Sequence, residues 1–109
     1  MKRYFAALVF LLATNTVVAG ESIGKVEYVI VRASDGLIYF GLKEATVVSK
    51  AACQTISYFM IRDENSNAGK QQLAALLAAQ ASGKTVQVWG MGTCRRWGDG
   101  EDVDAIRIQ

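Results

Sequence analysis

The residue types able to do chemistry in this chain are concentrated between positions 90 and 104, which read GMGTCRRWGDGEDVD. A cysteine, two arginines, a tryptophan and four carboxylates share that stretch with four glycines. Glycine weakens helix and strand alike, so the stretch reads as a long, polar, turn-rich loop. A loop of that length in a small domain usually carries a function or a staple. Trp97 offers the flat apolar face that covers sugar C–H groups. Arg95, Arg96 and Asp99 beside it supply planar donors and acceptors for hydroxyls. Trp89, Tyr39 and Asp35 complete the candidate ligand-binding set. The competing structural reading folds Trp97 back as a plug for the core and pairs Arg95 or Arg96 with Glu101 or Asp102.

Other chemistries fare worse. The run Asp99-Gly100-Glu101-Asp102-Val103-Asp104 is rich in oxygen, which calcium favours. Its glycine spacing is wrong for an EF-hand, and position 104 is Asp. A solvated or arginine-paired acidic loop is the better reading, and no metal ligand is assigned. The chain has no histidine, no Gly-x-Ser-x-Gly elbow and no phosphate-binding loop. Asp63 and Glu64 adjoin a helix start, where carboxylates aid capping. No catalytic residue and no cofactor is assigned, and the chain is read as non-enzymatic.

The elements that position these residues follow a leader. Met1-Lys2-Arg3 is basic, residues 4–13 (YFAALVFLLA) are apolar, and small residues follow up to Gly20. That order is a secretory signal peptide over residues 1–19, cleaved after Ala19, with cleavage after Gly20 nearly as good. The apolar run is too short to span a bilayer comfortably, and a buried or anchoring helix is the alternative. Export implies a secreted or periplasmic address, with no transmembrane segment once the leader is gone. Of the 12 Lys+Arg, two leave with the leader, so residues 20–109 carry ten basic against ten acidic side chains. A balanced charge argues against a nucleic-acid partner, which needs clustered excess Lys and Arg.

Residues 20–109 form one small domain, marginal without a cross-link. An exported chain with two cysteines uses them as a disulfide, and only one intrachain pairing exists: Cys53 with Cys94. Closing a loop of about 40 residues contributes roughly 4 kcal/mol in the chain-entropy view. A zinc site lacks ligands.

Residues 25–33 (KVEYVIVRA) predict a strand, with Val26, Tyr28 and Ile30 on one face. Ser34-Asp35-Gly36 is a hairpin turn into a second strand at 37–42, where Gly41 marks a bend. Residues 43–52 are ambiguous between strand and loop. Residues 54–62 predict a third strand, 68–82 a helix capped by Ser66 or Asn67 and stopped at Gly83, and 85–89 a fourth strand. On the helix, Leu73, Leu76 and Leu77 form the core stripe. After the long loop, residues 105–108 close the set. Strand, strand, strand, helix, strand, strand is the order of a five-stranded OB-fold-like barrel, a mostly-β fold. The alternative is an open α+β sheet.

Cys53 opening the third strand, Gln71 to Val88 with its Ala-Ser-Gly-Lys-Thr helix exit, and Cys94 after the fourth strand carry a resemblance. Together they resemble the B subunits of the subtilase-cytotoxin and typhoid-toxin type, at the level of pattern over most of residues 25–109. That resemblance implies a disulfide-closed OB barrel, a ring of five copies, recognition of a cell-surface glycan and a separate toxic A subunit. The chain is shorter than those B subunits, and none of their sugar-contacting positions is carried over. Residues 92–102 also look like a signature of small exported bacterial proteins related to that group. The expectation is an exported glycan-binding module. The alternative is a periplasmic protein-interaction or enzyme-inhibitor module.

Overall fold

The computed structural model describes residues 18–109, so most of the expected leader, residues 1–17, lies outside the described residues. The elements are β1 (Glu21–Val31), β2 (Ile38–Ser49), β3 (Tyr58–Met60), α1 (Asn67–Ser82), β4 (Thr85–Gly90) and β5 (Glu101–Ile108). The strands close into a barrel in the order β1-β2-β3-β5-β4, with β4 returning to β1. Only β3 and β5 run parallel. The expected mostly-β barrel with one helix between the third and fourth strands is therefore the fold, and the open sheet is not.

Alternation along the strands fills the interior. Val86 and Val88 from β4, Ile38 and Phe40 from β2, and Val26 from β1 are buried, and Leu76 and Ala79 of α1 close one end. The face shared by Val26, Tyr28 and Ile30 is not uniformly buried: Val26 is buried and Ile30 is exposed. The β1–β2 register shifts between Val26 and Tyr28. An irregularity of that kind slips side chains across the sheet. Val29 now packs against the core, while Ile30 and Val31 are exposed. Gly41 serves a close approach: a Cβ there would lie 2.5 Å from the Tyr28 ring, which crosses β2 at that point.

Long-range contacts settle the ambiguous stretch after β2 and shorten the strand expected at residues 54–62. Residues 43–49 continue β2 to Ser49 against β1, with Glu44 taking a left-handed φ of 52° beside a register shift. β3 is three residues long rather than nine. Residues 54–57 leave the sheet because the Thr55 and Ile56 N–H groups donate to the Asp99 carbonyl, at 3.1 and 3.3 Å. Past Gly41, the outer edge of β2 then has no strand partner among the described residues.

The helix starts and stops where the caps predict. Ser66 Oγ accepts from Gly69 N–H at 2.9 Å, and Gly83 takes the left-handed conformation with its N–H and that of Lys84 returned to the last turn. Leu76 is buried and Leu73 partly so, while Leu77 is exposed, so the stripe is narrower than expected. Gln72 and Gln80 donate to the Asp104 and Glu27 carbonyls at 3.0 and 3.1 Å, tying α1 across β5 and β1. No helix of the described residues is long and apolar enough to cross a membrane.

The largest departure is at β5, which begins at Glu101 rather than at Ala105. Glu101 and Asp102 are both 0% exposed. They are strand residues that collect N–H groups, not a solvated acidic loop.

Candidate functional site

Residues 91–100 form the loop between β4 and β5, and Asp102 shapes it from below. Its Oδ2 accepts from the Thr93 hydroxyl at 2.7 Å and the Arg95 N–H at 2.9 Å; Oδ1 accepts from the Arg96 N–H at 3.0 Å. The Asp102 main chain bonds Met91 and Thr93 at 2.8 Å each. Arg62 Nε lies 3.8 Å from the same carboxyl group. A buried acid is tolerated when its lone pairs are met in this way.

The loop is then fastened sideways. Cys53 and Cys94 form the expected disulfide, with Cα atoms 6.0 Å apart. Arg96 reaches the β3–α1 connection, donating from Nη2 and Nε to the two Glu64 oxygens at 2.8 and 3.1 Å. It also donates to the Asp35 carbonyl in the β1–β2 turn at 3.1 Å. Glu64 is therefore an arginine partner rather than a helix cap; Asp63 serves the helix entry, its carbonyl accepting from Ser66.

Between the β1–β2 turn and the β4–β5 loop lies a cleft of about 160 Å³, lined by Arg32, Leu37, Tyr39, Tyr58, Met60 and Trp97. Trp97 is 41% exposed. The Arg32 guanidinium sits 4.4 Å from the centre of its ring, a cation–π contact. Asp35 fixes that guanidinium with two bonds, accepting from Nε at 2.9 Å and from Nη2 at 2.5 Å. Tyr39 and Tyr58 meet at a 57° tilt with ring centres 5.4 Å apart. The Tyr58 hydroxyl donates to Asp99. Burial first, and then this bond to Asp99, push the Tyr58 phenol up to about 12. It therefore stays a donor at any physiological pH.

Of the residues singled out from sequence, Trp97, Tyr39, Asp35 and Asp99 converge on this cleft or its wall. Arg96 is committed to Glu64 and Asp35, making it a fastener. Arg95 extends into solvent beside the loop while its N–H is held by Asp102. Trp89 is placed elsewhere. It faces outward on β4, donates Nε1–H to Glu21 at 2.6 Å and pairs with the start of β1. Tyr39 pairs with Ile30, near the other end of that strand. Arg32 and Tyr58 were not anticipated. Arg32 lies three residues before Asp35 across a tight turn, and Tyr58 alternates with core residue Phe59; those were the available signals. Trp97 is part-exposed rather than a core plug, and Arg95 and Arg96 meet Asp102 through their main-chain N–H groups rather than their guanidinium groups.

The pins depend on charge. The hydrogen bond from Arg32 holds Asp35 well below the usual carboxylate range, helped by the Leu37 N–H, and Arg96 lowers Glu64. For a depressed carboxylate the stabilisation is full above its unfolded value, about 4, and is lost as pH falls through the folded value. Acidification below about pH 4 is thus expected to free the loop before the barrel melts. In a Trp89→Phe background, Trp97 emission should change while the far-UV signal holds. Simultaneous loss of both signals would contradict this.

Among the described residues no cluster of acidic or cysteine side chains is suited to a metal ion. Compared with family models, curated proteins and solved structures, the chain matches none.

Proposed function

We propose that the chain, exported and freed of its leader, is a non-catalytic binding module whose cleft takes a glycan. The observation that carries this reading is position. The aromatic rings of Tyr39, Tyr58 and Trp97 gather where β2 and β3 meet the β1–β2 and β4–β5 loops. OB-folds bind oligosaccharides and oligonucleotides on that face. Charge favours the sugar: ten basic side chains face ten acidic ones in residues 20–109, and the one cation over the ring is neutralised by Asp35. A half-exposed indole beside a fixed guanidinium, a carboxylate and the Tyr39 phenol suits C–H faces and hydroxyls together. The resemblance to toxin B subunits agrees with this reading and adds a ring of five copies as its assembly.

A second reading, a protein-interaction or inhibitor module, draws on the free edge of β2, where Val47 and Val48 are 61% and 57% exposed. An extended segment of a partner adds to such an edge as a further strand.

A glycan array probed with the oxidised mature protein tests the first reading. Trp97→Ala is expected to weaken the selected glycan by roughly 30-fold or more, the loss of about 2 kcal/mol typical of a central aromatic contact. Its melting temperature should stay near that of the parent, because the ring is exposed. Retained binding, or unfolding of the variant, would place the site elsewhere. A ring-forming B subunit should elute as a pentamer; an inhibitor should elute as a monomer or dimer and bind a single envelope protein.

A further inference from the structure

Glu101 is fully enclosed, yet no lysine or arginine among the described residues reaches it. Its Oε2 accepts two backbone N–H groups, from Gly20 at 2.9 Å and Gly92 at 2.8 Å. Its Oε1 accepts none. The surrounding backbone is cut to fit the carboxyl group. A Cβ on Gly20 would lie 2.2 Å from Oε1, and one on Gly90 would lie 2.0 Å from Cδ. A buried acidic oxygen without a donor is a costly arrangement, and pairing with a cation offsets that cost.

One of the two N–H groups at this carboxyl group belongs to Gly20, the residue that the sequence places first after the leader. Hydrolysis of the Ala19–Gly20 bond by an export leader peptidase consumes one water. The hydroxyl stays on the Ala19 carbonyl, which departs with the leader as a carboxylate. The nitrogen of Gly20 becomes an amine and takes a proton from solvent. We propose that the Gly20 α-ammonium released in this way is the partner of Glu101, keeping its bond to Oε2 and supplying a new N–H to Oε1. Processing then converts a half-satisfied buried acid into an ion pair that closes the barrel end.

Three features support the assignment. Gly20 is buried while Val18 and Ala19 are exposed, so the chain leaves the barrel at the bond to be cut. The Gly20 carbonyl accepts from Gly90 N–H at 2.9 Å, which holds the new terminus in place once the leader has gone. The geometry also chooses between the two cleavage sites. Cutting after Gly20 would start the chain at Glu21 and remove the donor altogether. The pair also touches the β4–β5 loop, because Gly92, the second of residues 91–100, is bonded to the same Oε2.

The proposal rests on the leader reading and not on the glycan reading. The test uses the full chain exported through its own leader. Intact mass is expected to give a start at Gly20. A chain with one glutamine inserted between Ala19 and Gly20 turns the critical nitrogen back into an amide and should melt roughly 5 °C or more lower, a shift of the size one lost buried contact produces in a domain of this length. Glu101→Gln should erase the difference between the two starts. Independently, the folded mature protein should resist acylation at its α-amine under conditions that modify its lysines, and lose that resistance on unfolding. That measurement decides the matter even if Glu101→Gln fails to fold. A start at Met1 or Glu21, equal melting of the two starts, a difference that persists in Glu101→Gln, or rapid acylation of the folded α-amine would each overturn the proposal.

Discussion

Cys53→Ser is expected to lower the melting temperature of the oxidised protein by well over ten degrees. The bond joins positions 41 apart in sequence, and by chain entropy a loop of that length is worth roughly 4 kcal/mol. A domain of about 90 residues shifts roughly 4–8 °C per kcal/mol. The local consequence is larger than the entropy alone. Cys53 anchors the segment whose Thr55 and Ile56 N–H groups donate to the Asp99 carbonyl, and Asp99 in turn receives the Tyr58 hydroxyl. Releasing the staple loosens one wall of the cleft. Calorimetry of the variant, and of the parent under reductant, should give matching low transitions. A variant that melts with the oxidised parent would show the bond to be dispensable.

Asp102→Ala carries a comparable effect for a different reason. The carboxyl group serves the Thr93 hydroxyl and the Arg95 and Arg96 N–H groups from a fully buried position. Hydrogen bonds to a charged acceptor contribute about 1.5–3 kcal/mol each and are not additive, so a loss of about 3–4 kcal/mol is expected. Asp102→Asn should recover part of it, since one carbonyl oxygen survives while an NH₂ now opposes an N–H donor. Chemical denaturation gives the loss directly. Trp97 emission should change in both variants, because Trp97 directly follows the residues that Asp102 holds. A midpoint within about 2 °C of the parent for Asp102→Ala, less than 1 kcal/mol, would remove Asp102 from its place as organiser of the loop.

The order of elements was legible because each signal is local. The Asp35-Gly36 turn, the Ser66 cap, the Gly83 stop and the alternation of Val86 and Val88 need only their neighbours in sequence. The limits of β3 and β5 need partners far along the chain. Residues 54–57 alternate like a strand, but Asp99 draws their N–H groups away. Glu101 and Asp102 read as loop because acidic residues seldom enter a barrel, and the donors that admit them come from Gly20, Gly92 and the loop. The site divides the same way. Trp97 and Asp99 stand out by composition. Joining them to Tyr39 and Asp35, and parting them from Trp89, is the work of strand register, which no single segment encodes. Arg32 lay outside the candidate set because its value comes from the ring above it.

The pairing scheme also governs when this molecule is able to acquire its shape. β1 finds its second neighbour only in β4, and β3 finds its second in β5, the last of the described strands in chain order. A nascent chain emerging from the ribosome can make the β1–β2 hairpin and the helix, but it has nothing with which to shut the cylinder until β5 is available. Closure is therefore a late step that joins segments far apart in sequence, the kind of pairing that sets a slow folding rate.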